Sequence, residues 1–461
     1  MREIQKSSRY NNYIKAIKLI KLKRKVSTSF LQRNIKIGFG EACSIMNDLE
    51  RRGFIRIAET KCEVDASLFD VDEAFLAHTR NYPQFKLPRG YNSNKDFLID
   101  SVQRNLQKFY PNTEAEISDR ISDEIYFLSM TGLDNAFLIV WDLLETMRKD
   151  GLSARYFRGS ASGSIIAYIL GITEFDPIKY GLVFDKFSAA QNLNIPTFHI
   201  SEEPYLVEDY LHEKYTNVFH NGGGIIAIGN SPLPDFRVKD FRSQVEENGA
   251  MIIGASANEF ENIARELSEM IDANKEPSDS DVFNFFENPD KNFFGIPYFQ
   301  YNSAKEYAKK LKPNSLLELS AIIAYNRPGC CDLLDELVAN KKSPNGIREI
   351  HPFISKITKQ TYGVLVFQEQ WIEAAHKLTA CDCLTLDKWR NALRKKECDS
   401  ALTEKILGAI IDNLRLERKT AEEILKYLEK SITAIFSKSH ALGCAKIAFE
   451  IAKLRVALLS A

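Results

Sequence analysis

Apolar residues recur at helical spacing along most of this chain and at strand spacing in only a few short runs. Residues 10–25 place Ile14, Ile17, Ile20 and Leu22 among Lys15, Lys18, Lys21, Lys23, Arg24 and Lys25, which predicts one basic helix. Ser27 or Thr28 can cap a second helix through Arg33, Gly38 marks a turn, and a third helix runs from about Gly40 to Arg52, ended by Gly53. Phe54–Ile57 and Lys61–Val64 then alternate like two short strands. Three helices and a hairpin, basic overall, predict a winged helix-turn-helix over residues 1–66.

Residues 67–100 include NYPQFKLPRGYNS, bear Pro and Gly, lack periodicity, and read as a linker entering the next domain. Residues 117–150 give two helices with Gly132 and Gly151 as end signals. A Gly/Ser-rich turn follows at Arg158–Ser164, then a helix running into Gly171-Ile-Thr173, and an extended Ile195–Ile200. Gly224–Ile228 and Gly249–Gly254 read as further strands, and the half beyond residue 291 is helical throughout. Leu384, Trp389, Leu393 and Leu402 are core candidates there. The expected class is α+β.

At 461 residues the chain has room for two to four domains. An apolar fraction of 44% with 11% aromatic residues describes a globular protein. No run of about 18 apolar residues occurs, so no membrane span is expected, and the basic N-terminus lacks the apolar segment of a secretory signal. The expected location is the cytoplasm. None of the eight cysteines forms a CxxC pair, which disfavours zinc ribbons and a disulfide framework. The net charge of −1 hides a segregation: residues 1–65 carry 15 Lys/Arg against 7 Asp/Glu, residues 201–290 carry 6 against 19, and residues 291–461 carry 27 against 19. Two basic regions flanking an acidic middle suit a polyanion such as DNA.

The order RGSASGS (158–164), AYILGIT (167–173), DPIKYGLVFDKF (176–187), then PTFHI (196–200), resembles the palm of the bacterial replicative DNA polymerases of family C. The resemblance spans about residues 80–455. It implies a nucleotidyltransferase-type (Pol β-like) palm over residues 101–290, with 67–100 as linker and palm entry, and an all-helical fingers domain over 291–461. It also implies that Arg158, Gly159, Ser160, Gly163 and Ser164 form a loop over nucleotide phosphates, where backbone N–H groups at a helix start would face the anion. Arg155-Tyr-Phe157 stand where that family has glycines.

In the family the strand reads Pro-Asp-Phe-Asp, and its carboxylates hold the catalytic metals. Here those places are Thr197 and His199, and the third carboxylate position falls on Gly254. His220-Asn-Gly-Gly resembles a family segment that normally lies much farther along, so the thumb is expected to be reduced. Tyr325-Asn-Arg-Pro-Gly329, Lys359–Gln370, LDKWRNALRKK (386–396) and Phe436-Ser-Lys-Ser-His440 match fingers segments. They imply DNA contact through Arg390, Arg394, Lys395, Lys396, Lys438 and His440. The family's nuclease-like, clamp-binding, helix-hairpin-helix and OB-fold parts have no expected counterpart.

VSTSFLQRNIKIGFGEACSIMNDLERRGFI resembles the γ domain of septal DNA translocases of the FtsK type. That family begins its recognition helix with Asn-Arg and a further Arg, whereas this chain has Gly40, Glu41 and Ser44. Glycine reads no base edge and glutamate repels phosphate, so the expected contacts are to backbone, through Arg33, Lys36, Arg51 and Arg52.

Together these readings imply a pseudo-polymerase that binds DNA or a replication complex, with no cofactor expected. Two alternatives stand beside it. One is an active nucleotidyltransferase whose Mg²⁺ site has moved to acids such as Glu202, Glu203, Asp235 and Asp240. The other is a protein-interaction scaffold without nucleic acid. The oligomeric state is not fixed by the sequence.

Overall fold

Polar caps and glycines set several element boundaries in the computed structural model. It describes residues 81–182, 198–233, 241–256 and 277–460 with short breaks, and shorter stretches between 15 and 64. The chain divides into two units, residues 1–77 with 190–193, and residues 78–189 with 194–461.

In the first unit α1 (Thr28–Ile35) starts where the Ser27 hydroxyl accepts the Phe30 amide at 3.1 Å, and it ends at Lys36 in the left-handed conformation. Residues 15, 16, 19 and 20, and 42, 43, 45 and 46, are helical, and Ala16, Ile20, Leu31, Ala42, Ile45 and Met46 are buried. β1 (Ile55–Ile57) pairs antiparallel with β2 (Cys62–Val64), in register at Arg56 and Glu63.

The second unit opens with residues that the sequence reads as linker but that are anchored. Asn81 bonds Gly249, Asn230, Ser231 and Asn248 through its backbone and side chain, and Tyr82, Pro83 and Phe85 are buried. Lack of periodicity hid this, because a single extended segment bonded residue by residue needs none. Helices α2 (Asn94–Phe109), α3 (Ala115–Thr131) and α4 (Leu133–Lys149) follow. Gly132 at φ 72 turns α3 into α4, and Gly151 at φ 84 ends the second helix, as the glycine signals predict.

A five-stranded sheet of order β3-β4-β7-β6-β5 comes next, where β3 is Tyr156–Arg158, β4 Phe198–Ile200, β5 Asn217–His220, β6 Ile225–Gly229 and β7 Met251–Ala255. Only β4 and β7 run parallel. Helix α5 (Ile165–Ile169) lies between β3 and β4 in the chain, α6 (Pro204–His212) between β4 and β5, and α7 (Phe241–Asn248) between β6 and β7. Phe198 meets Phe137 of α4 edge-on, so one sheet face is closed by the long apolar helix. On the other face Ala227 and Ile252 pack with Phe241 and Val245 of α7.

The remainder is helical. Helices α8 (Asp279–Glu287), α9 (Asn302–Leu311), α10 (Leu316–Tyr325) and α11 (Cys331–Lys342) are followed by α12 (Pro352–Ile357) and α13 (Gln368–Thr379). Then come α14 (Cys383–Lys395), α15 (Ser400–Leu414), α16 (Arg418–Ser431) and α17 (Lys438–Ser460). One core gathers Phe286, Phe293, Phe299, Tyr325 and Phe367, and a second surrounds Trp371 and Trp389 with Leu393 and Leu402 at its edge. The side chain of Leu384 lies outside the described residues. Among the described residues no single helix is long and apolar enough to cross a membrane.

Asp134 sits in the first turn of α4, 7% exposed, and accepts the Asn135 amide at 2.9 Å. Burial pushes its carboxyl from the ordinary 3.8 up to about 6, with the backbone bonds pulling the other way. The folded chain therefore holds a proton that the unfolded chain has already released, and stability falls as pH rises from about 4 to about 6. Asp134→Asn keeps the accepting oxygen. Urea denaturation across that range is expected to show a flatter pH slope for this variant and a gain of about 2–3 kcal/mol at pH 7.

Candidate functional site

The central strands bring two of the three carboxylate positions of the resemblance side by side. His199 on β4 and Gly254 on β7 are direct partners in the parallel pair, and Arg158 on β3 pairs with His199 from the other side. Phe198 and Ile200 face the buried layer, leaving His199 half-buried on the opposite face. A Cβ built on Gly254 would stand 2.4 Å from His199 Nδ1 and 2.7 Å from its Cε1. The imidazole thus takes the space that any side chain at residue 254 would need. Thr197 lies outside the described residues.

Among the described residues the nearby acids do not assemble into a cage. Glu202 is buried, Glu203 precedes α6 at its N-cap position, and Asp235 and Asp240 lie outside the described residues. Glu208 is shared by His220 Nδ1 at 3.0 Å and His212 Nε2 at 3.6 Å, while His220 Nε2 accepts the Gly224 amide. Among the described residues no three His, Cys, Asp or Glu side chains come together to hold a metal ion. A pair of Mg²⁺ ions demands oxygen ligands carrying negative charge, and a histidine over a glycine does not fit it.

The Gly/Ser turn folds as a 3₁₀ segment, Ser160–Gly163, leading into α5, which Ser164 caps. The anion position at this helix start is already taken from within. Glu124 of α3, fully buried, accepts the amides of Ile165 (3.1 Å) and Ile166 (3.2 Å) and the Ser164 hydroxyl (2.6 Å). Arg120 stands 3.2 Å from the same carboxylate and donates to the Gly163 and Leu182 carbonyls. Burial raises the Glu124 pKa, while Arg120 and these hydrogen bonds act to lower it. Gly159 and the side chains of Arg158 and Ser160 lie outside the described residues. In the amino-acid sequence this carboxylate shows only as a Glu four residues after an Arg on one helix.

Three separated fingers segments converge. Phe436 bridges to Phe367, exchanging backbone bonds with Val366 and Gln368. Glu369 caps the start of α17 by accepting the Lys438 amide at 2.9 and 3.0 Å. Arg327 donates to the Ala324 and Ala434 carbonyls and lies 4.9 Å over the Phe436 ring, and the Tyr325 hydroxyl donates to Leu365. Lys438, expected on a DNA-contacting surface, is instead 6% exposed, with Nζ 5.7 Å from the Phe367 ring centroid. Burial lowers its pKa, and Glu369 and Glu373 oppose that shift. His440 is half-buried, its ring 5.4 Å from Phe436.

Farther along α17, Lys446 and Glu450 pair with Glu174 and Arg155, joining the last helix to the segments that flank β3 and α5. Among the other basic candidates, Arg33 and Lys36 are exposed on and after α1, and Arg394 and Lys395 are exposed in the last turn of α14 with Arg390 half-buried one turn earlier. Arg51, Arg52 and Lys396 lie outside the described residues.

Residues 257–413 match the finger domain of the bacterial DNA polymerase III alpha subunit, residues 96–222 its NTPase domain, and residues 8–61 the FtsK gamma domain. The DNA polymerase III subunit alpha of Borreliella burgdorferi is 24% identical, covering 90% of this chain and 45% of its own length. The Neisseria meningitidis protein of the same name is 23% identical over 81% of this chain and 43% of its own. That of Staphylococcus epidermidis is 22% identical over 82% and 45%. The chain spans less than half the length of these relatives.

Three substitutions probe the site. Gly254→Ala is expected to cost about 1–3 kcal/mol in urea denaturation, and His199→Ala in the same chain to recover most of it by vacating the space. Glu124→Ala strands Arg120, Ser164 and two amides, and a loss of about 3–5 kcal/mol is expected by the same measurement.

Proposed function

We propose that this relative of the DNA polymerase III alpha subunit is a catalytically inactive protein that binds DNA, or a replication complex on DNA, in the cytoplasm. The observation that carries the reading is the imidazole of His199 resting against Gly254 on paired strands. The resemblance puts metal-holding carboxylates at these positions and at Thr197. None of the three residues present brings negative charge, and two-metal phosphoryl transfer depends on that charge. Reversing one position alone leaves the other two neutral.

DNA contact is the part of the function that the remaining chemistry suits. Arg394 and Lys395 end a fingers helix in solvent, and Arg33 and Lys36 do the same on α1. We read the first unit as a winged helix that grips phosphates without reading bases. Gly40 offers no side chain to a base edge, and the carboxylate of Glu41 repels phosphate.

Purified protein on a primed template, with dNTPs and Mg²⁺ or Mn²⁺, is expected to give no extension. Its DNA affinity is expected to fall linearly on a log–log salt plot. Extension that disappears on Glu203→Ala would place the chain among active enzymes with a moved metal site. Absence of DNA binding at low salt would leave a protein scaffold.

A further inference from the structure

Helix α9 divides its polar surface unevenly. Ala304, Tyr307, Ala308 and Leu311 are buried and fix its orientation. At 100° per residue, Tyr301, Lys305, Lys309 and Lys312 fall together on one flank of that buried stripe. Glu306, the helix's acid, falls on the other flank with Lys310. Tyr301 is 62% exposed, among the most exposed large side chains described. The turn before it holds Tyr298 at φ 65, a strained conformation for a bulky residue, with Phe299 wholly buried beside it. That anchoring presents Tyr301 on a defined backbone. Lys312 ends the helix at φ 50, and its carbonyl accepts Lys341 Nζ at 2.7 Å.

We infer that this flank of α9 is a rail for single-stranded nucleic acid. Lys305 and Lys309 are one helical repeat apart, ~6 Å along the axis, which suits successive phosphates of an extended strand. An exposed tyrosine at the head of the rail offers a face on which one base can stack, as sequence-neutral single-strand binders do. Lys312 faces Glu287 at 3.7 Å in a partly exposed pair that a polyanion readily outcompetes. A duplex suits the flank less well, because its bases are already stacked and offer no free face to Tyr301. The inference rests on the DNA-binding reading above and adds to it the form of nucleic acid and the surface that holds it.

The test uses the full chain and fluorescent oligothymidylate or duplex, read by anisotropy between about 50 and 200 mM salt. Lys305→Gln with Lys309→Gln is expected to weaken single-strand binding tenfold or more and to reduce the salt slope by about 1.4. Tyr301→Ala is expected to weaken it about tenfold with the slope unchanged, since stacking releases no counterion. Lys310→Gln, on the other flank, is expected to change neither. Circular dichroism confirms that the variants keep their helices. Wild-type binding to single strands that survives the double substitution would overturn the rail while leaving the DNA-binding reading intact. So would an equal loss on duplex, or displacement of the oligonucleotide by polyglutamate with the same dependence on Tyr301. Wild type that binds neither single strand nor duplex would overturn both.

Discussion

Glu124 and Arg120 sit where three parts of the polymerase-like unit meet. The carboxylate closes the start of α5, the guanidinium holds the carbonyls of Gly163 and Leu182, and both reach there from α3. A charge with no exposure is tolerable only when every oxygen is satisfied, and here two amides, a hydroxyl and an arginine satisfy it. The Gly/Ser turn takes its shape from this junction, as does the entry into α5. The same junction explains why the helix start that suits a phosphate in principle is occupied by the protein itself. Glu369 does the same for α17, so two helix starts in this unit are neutralised by carboxylates from other helices.

Much of the architecture was legible in the residues. Gly132 and Gly151 ended their helices, Ser27 capped α1, and Phe198–Ile200 became a strand, because each of those signals is local and needs no partner. Trp389 was legible as core for the same reason. What escaped was whatever depends on contacts distant in sequence. Asn81 looked like linker because its partners lie near residues 230 and 249. Lys438 looked like a surface lysine because its burial is created by α13 and by Gly181, far from it in the chain.

The candidate site divides along the same line. Reading Thr197, His199 and Gly254 as the places where the resemblance puts carboxylates requires only the order of motifs. That His199 and Gly254 are partners across parallel strands, with the ring filling the space a side chain at residue 254 would need, is a property of register that no single segment carries. The salt-bridge network of Arg155, Glu174, Lys446 and Glu450 is of this kind too, joining residues nearly 300 positions apart. Each pair there is partly exposed and individually weak. Alternating in sign, the four charges still favour one seat for the last helix.

The fit of one ring against one bare backbone has a historical consequence. An aspartate at residue 254 would meet the imidazole, and one at residue 199 would still lie opposite a glycine. Under the proposed reading, neither single step alone restores the charge that two metals require. Any route back to carboxylates would then run downhill in stability before it ran uphill in activity, and the fit of histidine on glycine would act as a ratchet.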